Sequence, residues 1–271
     1  MRITVIGGTG LIGARLVRAL RSAGHEIVVA ARSTGVNSYT GEGLEGALAG
    51  AEVVVDVSNS SYTDEEGARE FFFTSTMNLL SYGEAAGVGH HVALSVVGTD
   101  RLARAEGGYF IAKEQQERLI SASQRPFSLV HATQFFEFIR NITDHAVRSG
   151  VVRVADVLIQ PMAADDVAAA VAQTALGEPL YGTVEFGGPE VFSLNELAVL
   201  DLRYRQDERE VVPDPLGTYF GARLARRDLL PEATATIAST RYHDWRVQSS
   251  VESRPESDGR TSVTSAGAPL S

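Results

Sequence analysis

GGTGLIG, at residues 7–13, lies between an apolar strand pattern at residues 3–6 and an amphipathic helical pattern. Because glycine lacks a β-carbon, Gly7, Gly10 and Gly13 permit a tight turn and let a pyrophosphate approach the backbone. The start of the following helix adds unpaired N–H groups and the positive end of a helix dipole. The stretch therefore predicts a dinucleotide-binding turn. The expected contact residues are Gly7, Thr9, Gly10, Leu11, Ile12 and Gly13.

The rest of the first half alternates short β-rich runs with helical patterns, as in a parallel sheet covered on both faces. Five strands are expected at residues 3–6, 27–30, 53–57, 92–97 and 127–131. A long helix is expected over residues 65–86, and another follows Tyr109. The pattern predicts an α/β fold: a Rossmann-like, doubly wound parallel sheet with a small C-terminal substrate region.

Three segments follow from this pattern. Residues 1–150 are expected to form the dinucleotide-binding core, and residues 151–247 a smaller substrate or lid region that completes the same fold. Residues 248–271 are polar, rich in serine and nearly free of large apolar side chains. Such a segment buries too little surface to offset its ordering entropy, so we expect a disordered tail.

Composition narrows the classes of partner. The 271 residues carry a formal net charge of -10 at pH 7, which disfavours nucleic acid and anionic membranes. The chain has no cysteine, which excludes disulfides and thiolate sites and suits a reducing cytoplasm. No export signal and no apolar run of about 18 residues is visible, so we expect a cytoplasmic protein without membrane attachment. An oligomer remains open.

No metal site is expected. His90 and His91 are adjacent on a predicted strand, so their side chains point to opposite faces of the sheet. Asp165 and Asp166 resemble a catalytic carboxylate pair, but their place at the start of an alanine-rich helix favours capping.

The end of the second predicted strand bears on cofactor choice. An NAD-specific site usually has an acidic residue there for the ribose 2′-hydroxyl, whereas this chain has Arg32 followed by Ser33. A guanidinium suits a 2′-phosphate, and the serine offers a further hydrogen bond. The alternative is a solvated surface arginine. The sequence favours NADP(H) over NAD(H).

A second motif lies after the fourth strand. Tyr109 and Lys113 are four residues apart at the start of a predicted helix and share one face. An ammonium near a phenol would lower the pKa of the tyrosine and make it a proton donor or acceptor. Ser95, near the end of the fourth strand, would orient a substrate carbonyl. The alternative is an ordinary amphipathic helix, but Lys113 is the only lysine among 24 basic residues.

The substrate pocket is expected where the fifth strand ends, because open α/β sheets bind ligands at the carboxyl ends of their strands. The alternative is that the two phenylalanines there belong to the core. The expected pocket residues are Thr133, Gln134, Phe135 and Phe136.

Together these motifs resemble the atypical short-chain dehydrogenase/reductase family, especially its NmrA-like, NAD(P)H-binding branch. The resemblance rests on GGTGLIG at residues 7–13, Ser95, YFIAK at residues 109–113, and later markers such as FGGPE at residues 186–190. It covers residues 1 to about 247. The chain departs from many relatives at residues 131–136, where HATQFF replaces an arginine-proline pair.

The resemblance implies a Rossmann-like fold in which Ser95, Tyr109 and Lys113 are the catalytic residues. Our first hypothesis is an NADPH-dependent oxidoreductase acting on a small carbonyl, quinone or conjugated alkene. The second is a noncatalytic NADP(H)-binding redox sensor or regulatory protein, because the NmrA-like branch includes such proteins. Redox-neutral isomerase or epimerase chemistry is a third alternative.

Overall fold

The apolar run that opens the chain forms an inner strand of a parallel sheet. The computed structural model describes residues 1–105 and 108–252. Among these residues the strands are β1 (Arg2–Ile6), β2 (Glu26–Ala30), β3 (Val53–Asp56), β4 (His90–Val96), β5 (Phe127–Ala132), β6 (Val147–Arg148), β7 (Val151–Ala155), β8 (Leu158–Ile159), β9 (Gly182–Gly187), β10 (Phe192–Ser193), β11 (Val211–Asp214) and β12 (Thr236–Ile237).

The helices complete the layers on both sides of the sheet. The α-helices are α1 (Leu11–Ser22), α2 (Leu44–Leu48), α3 (Glu65–Ala86), α4 (Thr99–Arg104), α5 (Gly108–Ala122), α6 (Ile139–His145), α7 (Ala164–Leu176), α8 (Leu194–Tyr204) and α9 (Tyr242–Glu252). Short 3-10 turns cover Arg32–Thr34 and Phe136–Phe138.

The main sheet has seven parallel strands in the order β12-β9-β5-β4-β3-β1-β2. This confirms the predicted α/β class and the five predicted strands. The connection after β1 leads to β2 on one side, whereas the connection after β3 leads to β4 on the other, so the strand order reverses between β1 and β3. Ligands bind at such a switch point, outside the carboxyl ends of the strands, in folds of this type.

Helices cover the sheet on both faces because each presents an apolar stripe to it. On one face α1 and α7 pack together over a core that includes Leu16, Val55 and Val171. On the other face α3 packs against α5, and Phe72 is fully buried between them and the C-terminal half. The predicted long helix over residues 65–86 is confirmed, and Asp64 caps it by accepting from Gly67 N at 2.9 Å.

The C-terminal half divides its elements between the main sheet and a smaller structure. β9 and β12 extend the main sheet beside β5, and α7 packs on that sheet. A three-stranded sheet, β11-β7-β6, and a two-stranded sheet, β10-β8, form the smaller part with α6 and α8. The predicted tail needs a correction, because α9 runs to Glu252 and so includes its first residues. The remaining residues of that tail, 253–271, lie outside the described residues.

Candidate functional site

The glycine-rich turn owes its shape to two close backbone approaches. Gly7 has a φ of +78°, and a β-carbon there would lie 2.9 Å from the backbone of Ser58. A β-carbon on Gly13 would lie only 2.1 Å from the carbonyl oxygen of Gly7. Gly13 therefore allows α1 to pack closely against the turn. It is not one of the described residues that line the cleft, so its predicted contact with the dinucleotide becomes a packing role.

A cleft of about 1120 Å³ opens over this turn, at the switch point between β1 and β3. The predicted residues that line it come from five separate parts of the chain. They are Gly7, Thr9, Gly10, Leu11, Ile12, Arg32, Ser33, Ser95, Tyr109, Lys113 and Phe135.

Arg32 and Ser33 lie at the rim, directly after β2. The Arg32 side chain is exposed and makes no hydrogen bond or ion pair with the part of the chain that the structure describes. The Ser33 hydroxyl lies 3.5 Å from the Thr9 hydroxyl, across the mouth of the turn. No Asp or Glu occupies residues 31–34, so the guanidinium at this rim is available for an anion.

Tyr109 lies inside the cleft, with its ring packed against Phe72 and Tyr62. Its hydroxyl donates a hydrogen bond of 2.7 Å to Asn59 Oδ1. Burial, reinforced by Tyr62, raises the pKa of the phenol well above its ordinary value. The expectation that Lys113 lowers this pKa is therefore wrong, because loss of solvent outweighs the distant ammonium. The phenol is neutral and protonated near pH 7.

Lys113 is 3% exposed, and its ammonium is bound by the protein. It donates to the Leu94 carbonyl oxygen at 2.8 Å and to Gln116 Oε1, while Nζ lies 4.6 Å from the centre of the Phe72 ring. Gln116 in turn donates to Asp56 Oδ2 at 2.9 Å. Burial lowers the pKa of Lys113 to about 8, against the opposing effect of nearby carboxylates. An ammonium has three donors, so one remains for a ligand.

Ser95 reaches the cleft, but its hydroxyl has other partners. It donates a short hydrogen bond to Glu117 Oε1 and lies 3.3 Å from the Thr99 hydroxyl. Glu117 also forms an ion pair with His131, whose Nε2 lies 3.0 Å from Glu117 Oε1. The hydroxyl of Ser95 thus has a carboxylate partner, and its role in orienting a substrate carbonyl stays a prediction.

A row of polar residues crosses the sheet beneath α5. Ser95 on β4, His131 on β5 and Glu185 on β9 are register neighbours, so their side chains lie on one face. Burial alone would lower the pKa of His131, but the carboxylates of Glu117 and Glu185 raise it to about 9. The histidine is therefore charged near pH 7. We call Ser95, Glu117, His131 and Glu185 the paired row.

A smaller aromatic chamber adjoins the cleft, and the two share Tyr62, Val96, Phe135 and Phe138. Thr133, Gln134 and Phe135 line it as predicted, at the carboxyl end of β5. Phe136 does not; it is 1% exposed and packs on Tyr242 and Trp245, with ring centres 5.2 and 5.4 Å away. The prediction of Phe136 as a pocket residue is wrong, because the 3-10 turn that follows Phe135 directs the ring into the core.

Several residues of the site were not predicted from the sequence. Asn59 and Tyr62 lie in the polar segment after β3, which reaches the same edge of the sheet as the other site residues. Their place at that edge was a usable signal. The chamber walls Tyr219 and Phe220 come from a segment more than a hundred residues from Tyr109, and no local pattern marks them.

The residues present fit a dinucleotide. Gly7 and Gly10 line the cleft with bare backbone beside the N-terminus of the 12-residue helix α1, where a pyrophosphate can approach. Arg32 offers a cation at one end of the cleft, and Lys113 offers a donor at the other. Among the described residues, no group of three or more metal-ligating side chains is close enough to hold an ion. No helix there is long and apolar enough to cross a membrane.

A family model matches the part of the chain that carries the glycine-rich turn. Residues 3–79 match the model of the NAD dependent epimerase/dehydratase family. The photosystem II assembly factor Ycf39 of Synechocystis sp. is 30% identical over 111 residues, which are 36% of this chain and 34% of that protein. The aligned segment thus spans about a third of this curated relative.

Solved structures share the fold over most of the chain. The Thermus thermophilus UDP-glucose 4-epimerase in complex with NAD superposes with a TM-score of 0.64 at 17% identity, covering 85% of this chain and 90% of that one. A dTDP-4-dehydrorhamnose reductase of Clostridium acetobutylicum gives a TM-score of 0.69 at 16% identity, covering 93% and 99%. At these identities the likeness shows a Rossmann-like fold.

Proposed function

We propose that the protein is an NADPH-dependent oxidoreductase that reduces a small carbonyl, quinone or conjugated alkene. One observation carries the proposal: a glycine cradle, the only lysine and a buried tyrosine with a protonated phenol line the same cleft. The NmrA-like resemblance and the family match at residues 3–79 agree with nicotinamide dinucleotide binding. In this proposal residues 151–247 supply much of the substrate side, and the protein acts in the cytoplasm.

The chemistry divides between the cofactor and the chain. A bound dihydronicotinamide supplies hydride to the substrate. Tyr109 gives its proton to the substrate oxygen, because its phenol is protonated near pH 7. Asn59 Oδ1 accepts the phenol hydrogen at 2.7 Å, so the hydroxyl turns from Asn59 to the substrate oxygen when it donates. Lys113 uses its remaining donor to hold the nicotinamide ribose.

NADPH oxidation against a panel of quinones and aldehydes tests this proposal. Tyr109→Phe removes only the hydroxyl, so we expect turnover to fall about 10²- to 10⁴-fold with NADPH affinity nearly unchanged. Lys113→Arg keeps the charge but changes the donor's shape, so both turnover and affinity should fall. Wild-type turnover in both variants would remove this pair from the mechanism.

Cofactor choice is a separate part of the proposal, since the Thermus thermophilus epimerase was solved with NAD. The free guanidinium of Arg32 at the rim supports a preference for the 2′-phosphate of NADP(H). A charge-assisted hydrogen bond is worth about 1.5–3 kcal/mol, so Arg32→Asp should weaken NADPH binding about 10- to 100-fold and spare NADH. Calorimetry measures both affinities, and an unchanged NADPH affinity in Arg32→Asp contradicts this role.

A noncatalytic NADP(H)-binding sensor is the second candidate, and one observation favours it. The Ser95 hydroxyl, which would otherwise help to hold a substrate carbonyl, donates to Glu117 instead. A sensor predicts measurable NADPH affinity with no steady oxidation against any member of the panel. The substrate panel therefore separates the two candidates.

A further inference from the structure

A series of buried hydrogen bonds connects Lys113 to the glycine-rich turn. Lys113 donates to Gln116 Oε1, and Gln116 Nε2 donates to Asp56 Oδ2 at 2.9 Å. The other oxygen of Asp56 accepts from the backbone N and the hydroxyl of Ser58, at 2.9 and 2.6 Å. Ser58 lines the cleft, and its backbone would lie 2.9 Å from a β-carbon on Gly7. We call Asp56 and Gln116 the buried link.

The buried link joins elements that lie far apart in the sequence. Asp56 is the last residue of β3 and is in register with Ile6, the last residue of β1, so it lies at the switch point of the sheet. Gln116 is on α5, three residues after Lys113, so the two side chains share one face of that helix. One carboxylate therefore holds both the segment beside the glycine-rich turn and the helix that carries Lys113.

Both residues of the buried link are sealed from solvent. Gln116 is 1% exposed and Asp56 is 2% exposed, and neither is among the described residues that line the cleft. The Asp56 carboxylate has three donors, and the Gln116 amide uses both its oxygen and its nitrogen. These two residues can therefore act on a bound molecule only through Lys113 and Ser58, which do line the cleft.

Asp56 also balances the charge of the Lys113 ammonium. Burial lowers the pKa of Lys113, and the carboxylates of Asp56 and Glu117 oppose that effect. Glu117 already pairs with the charged His131, whose Nε2 lies 3.0 Å away. His91, which also interacts with Asp56, is neutral near pH 7 because burial lowers its pKa to about 4. The charge of Asp56 is therefore the one left to compensate Lys113.

We propose that Asp56 and Gln116 are positioning residues for the cofactor, which hold the Lys113 ammonium at one place on the cleft wall so that its remaining donor meets the nicotinamide ribose. A free lysine side chain has many rotamers, and ordering it when a ligand binds weakens the affinity. The buried link orders this side chain before the cofactor arrives. The inference rests on the proposed function, in which Lys113 holds the ribose.

A double-mutant cycle on NADPH affinity tests the buried link. Gln116→Met keeps the length of the side chain and removes both hydrogen bonds, so we expect calorimetry to show NADPH affinity lowered about 3- to 30-fold. In a Lys113→Met background the same change should have no further effect, because Gln116 acts through the lysine. Unchanged affinity in Gln116→Met, or losses that simply add in the double variant, overturns the inference.

Gln115→Met is the matched control for this cycle. Gln115 is the neighbouring residue on α5, is partly exposed, and is not among the described residues that line the cleft. Its replacement by methionine should leave NADPH affinity unchanged in both backgrounds. An equal loss in Gln115→Met and Gln116→Met would assign the effect to α5 as a whole and would overturn the role of Gln116.

Asp56→Asn gives a second variant should Gln116→Met fail to fold, and its readout needs no cofactor. The change keeps the shape of the side chain and removes its charge, so the pKa of Lys113 should fall from about 8 to about 7. NMR titration of protein containing isotope-labelled lysine follows this group alone, since the chain has one lysine. An unchanged titration midpoint overturns the inference.

The two readouts separate failure of the buried link from failure of the proposed function. A shifted titration midpoint and a non-additive cycle, without NADPH oxidation against any member of the panel, reject only the oxidoreductase. NADPH oxidation with an unchanged midpoint or with additive losses rejects only the buried link. A wild-type protein that binds no NADPH rejects both.

Discussion

Two groups of polar side chains meet at the carboxyl end of β5, and they differ in how their polar atoms are used. In the paired row, His131 lies between the carboxylates of Glu117 and Glu185. In the chamber, Thr133 and Gln134 follow only two and three residues later, and their side-chain polar atoms have no partner in the described part of the chain. Thr133 and Gln134 are more deeply buried than His131 and its two carboxylate partners. Pairing within the protein offsets the cost of burying a polar group, whereas a buried polar group without a partner lowers the stability of the folded state.

The largest expected change in stability comes from a substitution in the paired row. Glu117→Gln removes the negative charge beside a charged and largely buried His131 while keeping the size of the side chain. Loss of one partner of a buried pair leaves the other uncompensated, so we expect the free energy of unfolding at pH 7 to fall by about 3 kcal/mol. Urea denaturation measures this difference.

Glu114→Gln is the matched control on the same helix. Glu114 pairs with Arg118 four residues on, and the arginine side chain is 74% exposed, so this pair should contribute less than about 1 kcal/mol. A loss in Glu117→Gln no larger than that in Glu114→Gln would show that the paired row is not structural.

A smaller effect follows from pH. Because the pKa of His131 is about 9 in the folded protein and ordinarily 6.5, the folded state holds this proton more tightly. Its contribution is complete below pH 6.5 and is lost as the pH rises through 9, so stability should fall by about 1.5 kcal/mol between pH 6.5 and 8. The pKa of Lys113 is lowered to about 8 in the folded protein, so its effect on stability has the opposite sign: the free energy of unfolding rises as the pH passes through 8.

Denaturation of the wild type and of His131→Gln across this range measures the slope. The variant lacks the group whose folded pKa is raised, so its stability should no longer fall from pH 6.5 to 8. An equal slope in both proteins would assign the pH dependence to another group.

The smallest effect concerns the chamber and has the opposite sign. Gln134→Met removes a buried amide that makes no hydrogen bond within the described part of the chain, so the free energy of unfolding should stay constant or rise by up to about 1 kcal/mol. The same denaturation experiment measures it. A loss above about 1 kcal/mol would mean that Gln134 stabilises the fold, and the contrast with the paired row would disappear.

The parts of the molecule that depend on local sequence were predictable. Strand and helix patterns, with GGTGLIG between them, fix the order of elements and the position of the turn, and the long helix over residues 65–86 has its predicted bounds. Tyr109 and Lys113 do line one cleft, because four-residue spacing places them one turn apart on α5. These features arise within a few residues of one another.

The parts that depend on contacts between distant segments could not be predicted from the sequence. The hydroxyl of Ser95 turns to Glu117, and the pKa of Tyr109 rises, because α5 packs over the sheet and excludes water. Phe136 enters the core because Tyr242 and Trp245, over a hundred residues later, receive its ring. Burial and pairing of this kind have no signature in the neighbouring residues.

Lys113 lets a lysine-modifying reagent report on the cleft alone. It is the only lysine in the chain, so every modified ε-amine in a digest comes from inside the cleft. Its pKa of about 8 gives a sizeable unprotonated fraction in mildly alkaline solution, which is the form that acylating reagents attack. Peptide mass spectrometry then counts occupancy of the cleft directly, since any molecule covering this amine slows its acylation, and surface lysines contribute no background.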